Sequence, residues 1–132
     1  MVVVQDVSKR YGDKYVVEGV SVEIPKGQIT AFIGPNGAGK STLLSMVSRL
    51  IAQDEGEIYI EGRNIRQSRS NDLAKKISIL KQTNHINLRL TIRDLVSFGR
   101  FPYSQGRLKK EDWQFVDEAI EYMGLTEIQH KF

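Results

Sequence analysis

Apolar and polar positions follow two periods along the chain. Residues 2–7 (VVVQDV) are short and β-branched and predict a strand, and residues 8–14 (SKRYGDK) predict a turn or short loop. Alternation from Val20 to Ile24, within 15–24 (YVVEGVSVEI), predicts a half-buried antiparallel strand. After the turn residues Pro25-Lys26-Gly27, residues 28–33 (QITAFI) form the short apolar run expected of a strand buried on both faces. The period then changes. Leu43, Leu44, Met46, Val47, Leu50 and Ile51 recur at helical spacing. Residues 56–61 (GEIYIE) alternate as a strand, 62–64 turn the chain, 70–76 predict a short helix, and 77–81 (ISILK) predict a second buried strand. Residues 82–90 are polar and irregular. Thr91 and Asp94 form a capping box for a helix to about Gly99, and 101–106 predict a loop. Trp113, Val116, Ala119, Ile120 and Met123 share one face of a helix over 110–123, which Gly124 ends.

This order implies an α/β chain with a parallel element. The final helix is followed by no returning strand, so the chain is expected to stop in the middle of a domain.

Between the run 28–33 and the first helix lies Gly34-Pro35-Asn36-Gly37-Ala38-Gly39-Lys40-Ser41-Thr42. Gly34, four residues, Gly39, Lys40 and Ser41 make the phosphate-binding loop pattern. Phosphate oxygens need several converging donors. Backbone N–H groups supply them only where the chain wraps closely, and Gly37 and Gly39 permit that by lacking Cβ. The helix that follows aims its N-terminal partial positive charge at the same point. Lys40 is expected on the β- and γ-phosphates and the Ser41 hydroxyl on Mg²⁺.

Composition narrows the surroundings. Of 132 residues, 40% are hydrophobic and 27% charged, which excludes disorder along the whole length. There is no cysteine, so a disulfide scaffold and a thiolate zinc site are excluded. No apolar stretch approaches the roughly 18–20 residues of a membrane span, and no cleavable leader is evident. The net charge of +3 is weak for a nucleic-acid footprint, and no nucleic acid is expected as partner. His85 and His130 show no metal spacing, and Lys109 and Lys110 suit a solvated face.

The stretch VSVEIPKGQITAFIGPNGAGKSTLL resembles the segment around the Walker A motif of ABC transporter ATP-binding subunits, and the resemblance runs along the whole chain. It implies an α/β fold: a P-loop NTPase (RecA-like) core, an antiparallel β subdomain (1–30 and 56–66) and the start of a helical subdomain (83–132), with core at 31–55 and 70–82. It implies that Tyr11 stacks on adenine, and that Gly34, Pro35, Asn36, Gly37, Ala38, Gly39, Lys40, Ser41 and Thr42 cradle the phosphates of ATP. It further implies that Gln82 meets Mg²⁺ through its amide oxygen and takes part in catalysis with Lys40. The string LTIRDLVSFGRFPYSQG is similar to importer ATPases for iron–siderophore, haem and cobalamin uptake. That implies import of a ferric siderophore or related metal chelate from the cytoplasmic face of the membrane, as a peripheral subunit. The implied partners are a second ATPase subunit in a head-to-tail dimer, a permease subunit met through 83–105, and indirectly a substrate-binding protein. Phe98, Arg100, Phe101, Pro102 and Tyr103 are candidate permease contacts, with Phe98 and Phe101 equally suited to a core.

The family's LSGGQ-like signature and its Walker B strand ending in Asp-Glu are absent from these residues. Glu111 and Asp112 open a helix instead. The 132-residue chain is therefore expected to be an incomplete ABC ATPase domain that binds nucleotide without turnover, and to associate or aggregate in isolation. A non-transport ABC ATPase of translation or DNA repair, and a nucleotide-binding remnant, are the alternatives.

Overall fold

β-Branched and aliphatic residues build an antiparallel sheet in the first of two units, Met1–Arg69 and Ser70–Phe132. The computed structural model describes residues 1–82 and 89–132. In the first unit, β1 (Val2–Tyr11) and β2 (Lys14–Ile24) form a hairpin, and β3 (Glu55–Ile60) pairs the other edge of β1. The short β4 (Arg63–Asn64) completes the order β2-β1-β3-β4. Val4 faces both Val22 and Ile58, and Val4, Val7, Val17, Ile58, Ile60 and Ile65 are buried. Both strands of the hairpin run further into 8–14 than the expected turn, which shrinks to Gly12-Asp13 because Tyr11 pairs with Lys14.

The ladder slips between Val4 and Val7, where Asp6 takes a positive φ of 47°. Side chains close the gap: the Asp6 amide donates to the Ser21 hydroxyl at 2.9 Å, and the Gly19 amide donates to the buried Ser8 hydroxyl at 2.9 Å. Gly56 lies against this bulge, and a Cβ there would run into the carbonyl oxygens of Gln5 and Asp6. Helix α1 (Lys40–Val47) buries Leu43 and Met46. It stops short of the helical spacing, because the Ser48 hydroxyl bonds back to the Leu44 carbonyl and Arg49 turns left-handed at φ 57°.

The second unit holds α2 (Ser70–Ala74), α3 (Ile92–Ser97), a 3₁₀ turn at Phe98–Arg100, α4 (Phe101–Ser104), α5 (Lys110–Tyr122) and a 3₁₀ turn at Thr126–Ile128. The expected capping box closes α3: the Asp94 amide donates to the Thr91 hydroxyl at 3.1 Å, and the Thr91 amide to the Asp94 carboxylate at 3.0 Å. α5 buries Val116 and Ile120 and half-buries Trp113 but leaves Ala119 and Met123 exposed, a narrower apolar face than the spacing predicted. The expected loop at 101–106 begins as α4, with Pro102 in its first turn, where its missing N–H is no loss.

Two expected strands require correction. Residues 28–33 and 77–81 have no strand pairing among the described residues, and no parallel sheet forms there. Ile33 is 94% exposed and Leu80 90%. An apolar run becomes a central strand only when neighbours complete its ladder and cover both faces. No described strand pairs with either run.

Candidate functional site: a phosphate cradle and an aromatic platform

The loop 34–39 winds tightly before α1. The Ala38 amide donates to the Pro35 carbonyl at 3.2 Å, and Gly37 and Gly39 take φ values of 84° and 89°. Gly39 is the N-cap of α1, and no side chain caps that end. The first-turn amides of α1 therefore remain available as donors, at the positive end of the helix dipole. A Cβ on Gly39 would sit 2.5 Å from the Val16 carbonyl oxygen, so β2 presses the loop into place and only glycine fits. A glycine loop ahead of an uncapped helix N-terminus makes a cradle of backbone donors suited to an anion such as phosphate.

Lys40 opens α1, and its ammonium folds back onto the carbonyls of Gly34 (2.6 Å) and Pro35 (2.7 Å). The cation is thus held over the mouth of the loop that precedes it. Ser41 is exposed and Thr42 half-buried, both in the first turn of α1. A cavity of about 560 Å³ flanks the cradle, lined by Val17, Val20, Phe32, Ile33, Gly39 and Leu43 among others. Among the described residues no cluster of three or more His, Cys, Asp or Glu could hold a metal ion. The Ser41 hydroxyl and the Gln82 amide each carry an oxygen of the hard kind that Mg²⁺ takes.

Tyr11 ends β1 at the hairpin tip and is 58% exposed. The Lys9 ammonium lies 5.4 Å from its ring centroid. Lys9 and Tyr11 are two apart on one strand and therefore share a face. Asp54 accepts hydrogen bonds from the Arg10 amide (2.8 Å) and from Lys9 (3.5 Å). The Arg10 amide, and after it Lys9, holds the Asp54 carboxyl below the ordinary 3.8. Period-2 placement was a visible signal for Lys9. Nothing local pointed to Asp54, which lies more than forty residues along the chain.

Gln82 belongs to the second unit, as an exposed residue in a bend. The structure thus places Gly34 to Thr42 and Tyr11 in one unit and Gln82 in the other. Residues 83–88, which include His85 and the start of the expected permease-facing segment 83–105, lie outside the described residues. Farther along that segment, Phe98, Phe101 and Tyr103 are exposed and Pro102 is half-buried. Arg100 is already engaged. Its guanidinium lies 4.0 Å from the Tyr103 ring and 4.3 Å from the Phe115 ring, and its Nε donates to Asp112 at 2.9 Å. Asp112 is 6% exposed and also accepts the Lys109 amide at 2.9 Å. That amide, followed by Arg100, holds its carboxyl below the ordinary 3.8.

Residues 17–132 match the family described as ABC transporter. Petrobactin import ATP-binding protein YclP of Bacillus subtilis (strain 168) is 65% identical over 132 residues, 100% of this chain and 52% of its own length. Iron(3+)-hydroxamate import ATP-binding protein FhuC of the same organism is 44% identical over 119 residues, 89% of this chain and 44% of its own. Ferric enterobactin transport ATP-binding protein FepC of Escherichia coli (strain K12) is 39% identical over 120 residues, with 89% and 44% covered. This chain spans about half the length of the curated relatives it matches. Among solved structures, a dimeric post-hydrolysis ATP-binding cassette bound to ADP and Pi superposes with a TM-score of 0.77 at 25% identity, over 99% of this chain and 61% of that one. An ATP-binding subunit of an ABC transporter superposes with a TM-score of 0.81 at 24% identity over 99% and 53%, which supports the fold.

Proposed function

The chain belongs to the ABC transporter family, and from that premise we propose that it carries the nucleotide-binding part of an ATPase driving import of a ferric siderophore or related chelate. The observation that carries the reading is the cradle: an uncapped helix N-terminus, two left-handed glycines and Lys40 held at the loop mouth. The relatives' names, a petrobactin import, an iron(3+)-hydroxamate import and a ferric enterobactin transport ATP-binding protein, support the cargo class.

In this reading Tyr11 stacks on adenine and the amides of 34–42 bind the phosphates. Lys40 leaves two neutral carbonyls for the β- and γ-phosphates, exchanging neutral acceptors for charged ones. Ser41 and Gln82 would each offer an oxygen to Mg²⁺, which would supply charge neutralisation at the transferred phosphoryl group. The functional division keeps 1–30 and 56–66 as the antiparallel part, 31–55 and 70–82 as the phosphate-binding core, and 83–132 as the start of a helical part. The segment 83–105, with exposed Phe98, Phe101 and Tyr103, meets a permease. A second copy of the ATPase completes the nucleotide site head to tail, at the cytoplasmic membrane surface. A separate binding protein delivers the chelate. Among the described residues no helix is long and apolar enough to cross a membrane.

Uptake of ⁵⁵Fe bound to petrobactin, hydroxamate or enterobactin tests the proposal in cells whose full-length protein carries Lys40→Ala. Uptake of one chelate is expected to fall at least about tenfold, since the lysine contacts the transferred phosphoryl group. Unchanged uptake of all three sinks the cargo assignment.

A further inference from the structure

We propose that Lys9 and Asp54 form a positioning pair that sets the ring of Tyr11 for the purine base, a step that rests on the reading of Tyr11 as the adenine platform. Tyr11 stands where the sheet gives out. The β1–β3 ladder ends at Ser8 opposite Glu55, and the β1–β2 ladder slips between Lys9 and Arg10. Among the described residues no strand on the β3 side receives the Arg10 amide. The Asp54 carboxylate takes it instead at 2.8 Å, and the Asp54 amide donates to the Ser8 carbonyl at 2.9 Å. One residue therefore extends the edge of β3 past its last ladder pair, in part by its side chain.

The same carboxylate holds Lys9 at 3.5 Å, and the Lys9 side chain is only 15% exposed. Its ammonium then lies 5.4 Å from the Tyr11 ring centroid. A cation over one ring face is attracted by the ring quadrupole and fixes the ring's tilt. Tyr11 is 58% exposed, which leaves ring surface for a stacking partner. A ring fixed before the base arrives loses less rotamer freedom on binding, so the pair acts through Tyr11 without touching nucleotide.

Titration calorimetry on the full-length protein separates this role from a merely structural one, using two probes with Mg²⁺: ATP, and inorganic tripolyphosphate, which has no base. Tyr11→Ala is expected to weaken ATP binding about tenfold, the scale of one lost base stack. Lys9→Ala and Asp54→Ala are each expected to weaken it about threefold, the scale of one exposed cation–ring contact. All three leave tripolyphosphate binding unchanged, and Lys9→Arg, which keeps a cation over the ring, restores ATP binding. An equal loss for both probes in the Lys9 and Asp54 variants overturns the proposal, because the damage then reaches the phosphate cradle. Unchanged ATP binding in those variants, with the Tyr11→Ala loss intact, overturns the pair and spares Tyr11. Unchanged ATP binding in Tyr11→Ala overturns the platform and the pair together.

Discussion

The phosphate cradle and the Arg100 cluster are built from opposite materials. In the first unit, loop 34–39 is shaped by backbone: left-handed Gly37 and Gly39, an amide-to-carbonyl turn, and a lysine bonded to two carbonyls. In the second unit, the segment 98–104 is tied to α5 by side chains. Arg100 lies against the Tyr103 and Phe115 rings and is bonded to Asp112, and Arg93 lies over Trp113 while pairing with Asp117 and Gln129. A backbone cradle presents donors whose direction depends on φ and ψ, and a single Cβ can spoil it. A side-chain cluster tolerates small shifts and fails when its hub is removed. The first suits a ligand of fixed geometry such as a phosphate chain. The second suits a surface that must hold its shape while another body bears on it.

The sharpest way to break the contrast is Gly39→Ala. Alanine disfavours the left-handed backbone by about 1–2 kcal/mol, and its Cβ would meet the Val16 carbonyl oxygen at 2.5 Å. Relief of that clash turns the first amides of α1 away from the phosphates, each charged hydrogen bond being worth about 1.5–3 kcal/mol. ATP and tripolyphosphate affinity are both expected to fall on the order of a hundredfold, since about 1.4 kcal/mol is one decade. Calorimetry checks this, and a loss of less than about threefold would show that side chains, not backbone, carry the cradle.

The next effect is on stability and belongs to the second unit. Arg100→Ala removes a cation lying against two exposed rings, at a cost of about 0.5–1 kcal/mol for each such contact. It also leaves buried Asp112 without its cationic partner. Arg100→Lys keeps the charge but loses the planar stack. Denaturant unfolding of the full-length protein should rank wild type above Arg100→Lys above Arg100→Ala, with phosphate binding unchanged in all three. Equal stability of the three would make Arg100 a free surface residue, available for a partner after all.

The same contrast explains what was legible beforehand. The cradle is written in consecutive residues, so Gly37, Gly39, Lys40 and Ser41 announce it by spacing alone. The capping box of Thr91 and Asp94 was legible for the same reason. The apolar runs 28–33 and 77–81 were visible, but strand pairing depends on a neighbour, and a run does not encode its neighbour's presence. The hairpin's extent was missed because Ser8, Lys9 and Arg10 are polar, while their backbone still pairs across to β2 or β3. The partners of Arg100, Asp112 and Phe115, were not legible because they lie more than ten residues away. Asp54 joins Lys9 and Arg10 across a still longer gap, which no local pattern records.

Acid provides the smallest and most selective test. The stretch 34–42 contains no carboxylate, so protonation within it is not expected to loosen the cradle. The second unit relies on two carboxyls held below the ordinary 3.8: Asp94, chiefly by the Thr91 hydroxyl and amide, and Asp112, chiefly by the Lys109 amide and then Arg100. A carboxyl whose folded pKa is depressed stabilises the fold fully above its unfolded value. That contribution is lost as pH falls from about 3.8 toward the lower folded values, because the folded state then takes up protons less readily than the unfolded one. Amide exchange between pH 5 and pH 3 should therefore show protection at α3 and at the start of α5 declining with acid. Asp112→Asn, which cannot titrate, should have a flatter pH dependence over that window and a lower plateau above it. Identical pH slopes in wild type and Asp112→Asn would mean that the Lys109 cap and the Arg100 bond do not draw on the carboxylate's charge. The Arg100 cluster would then rest on its ring contacts.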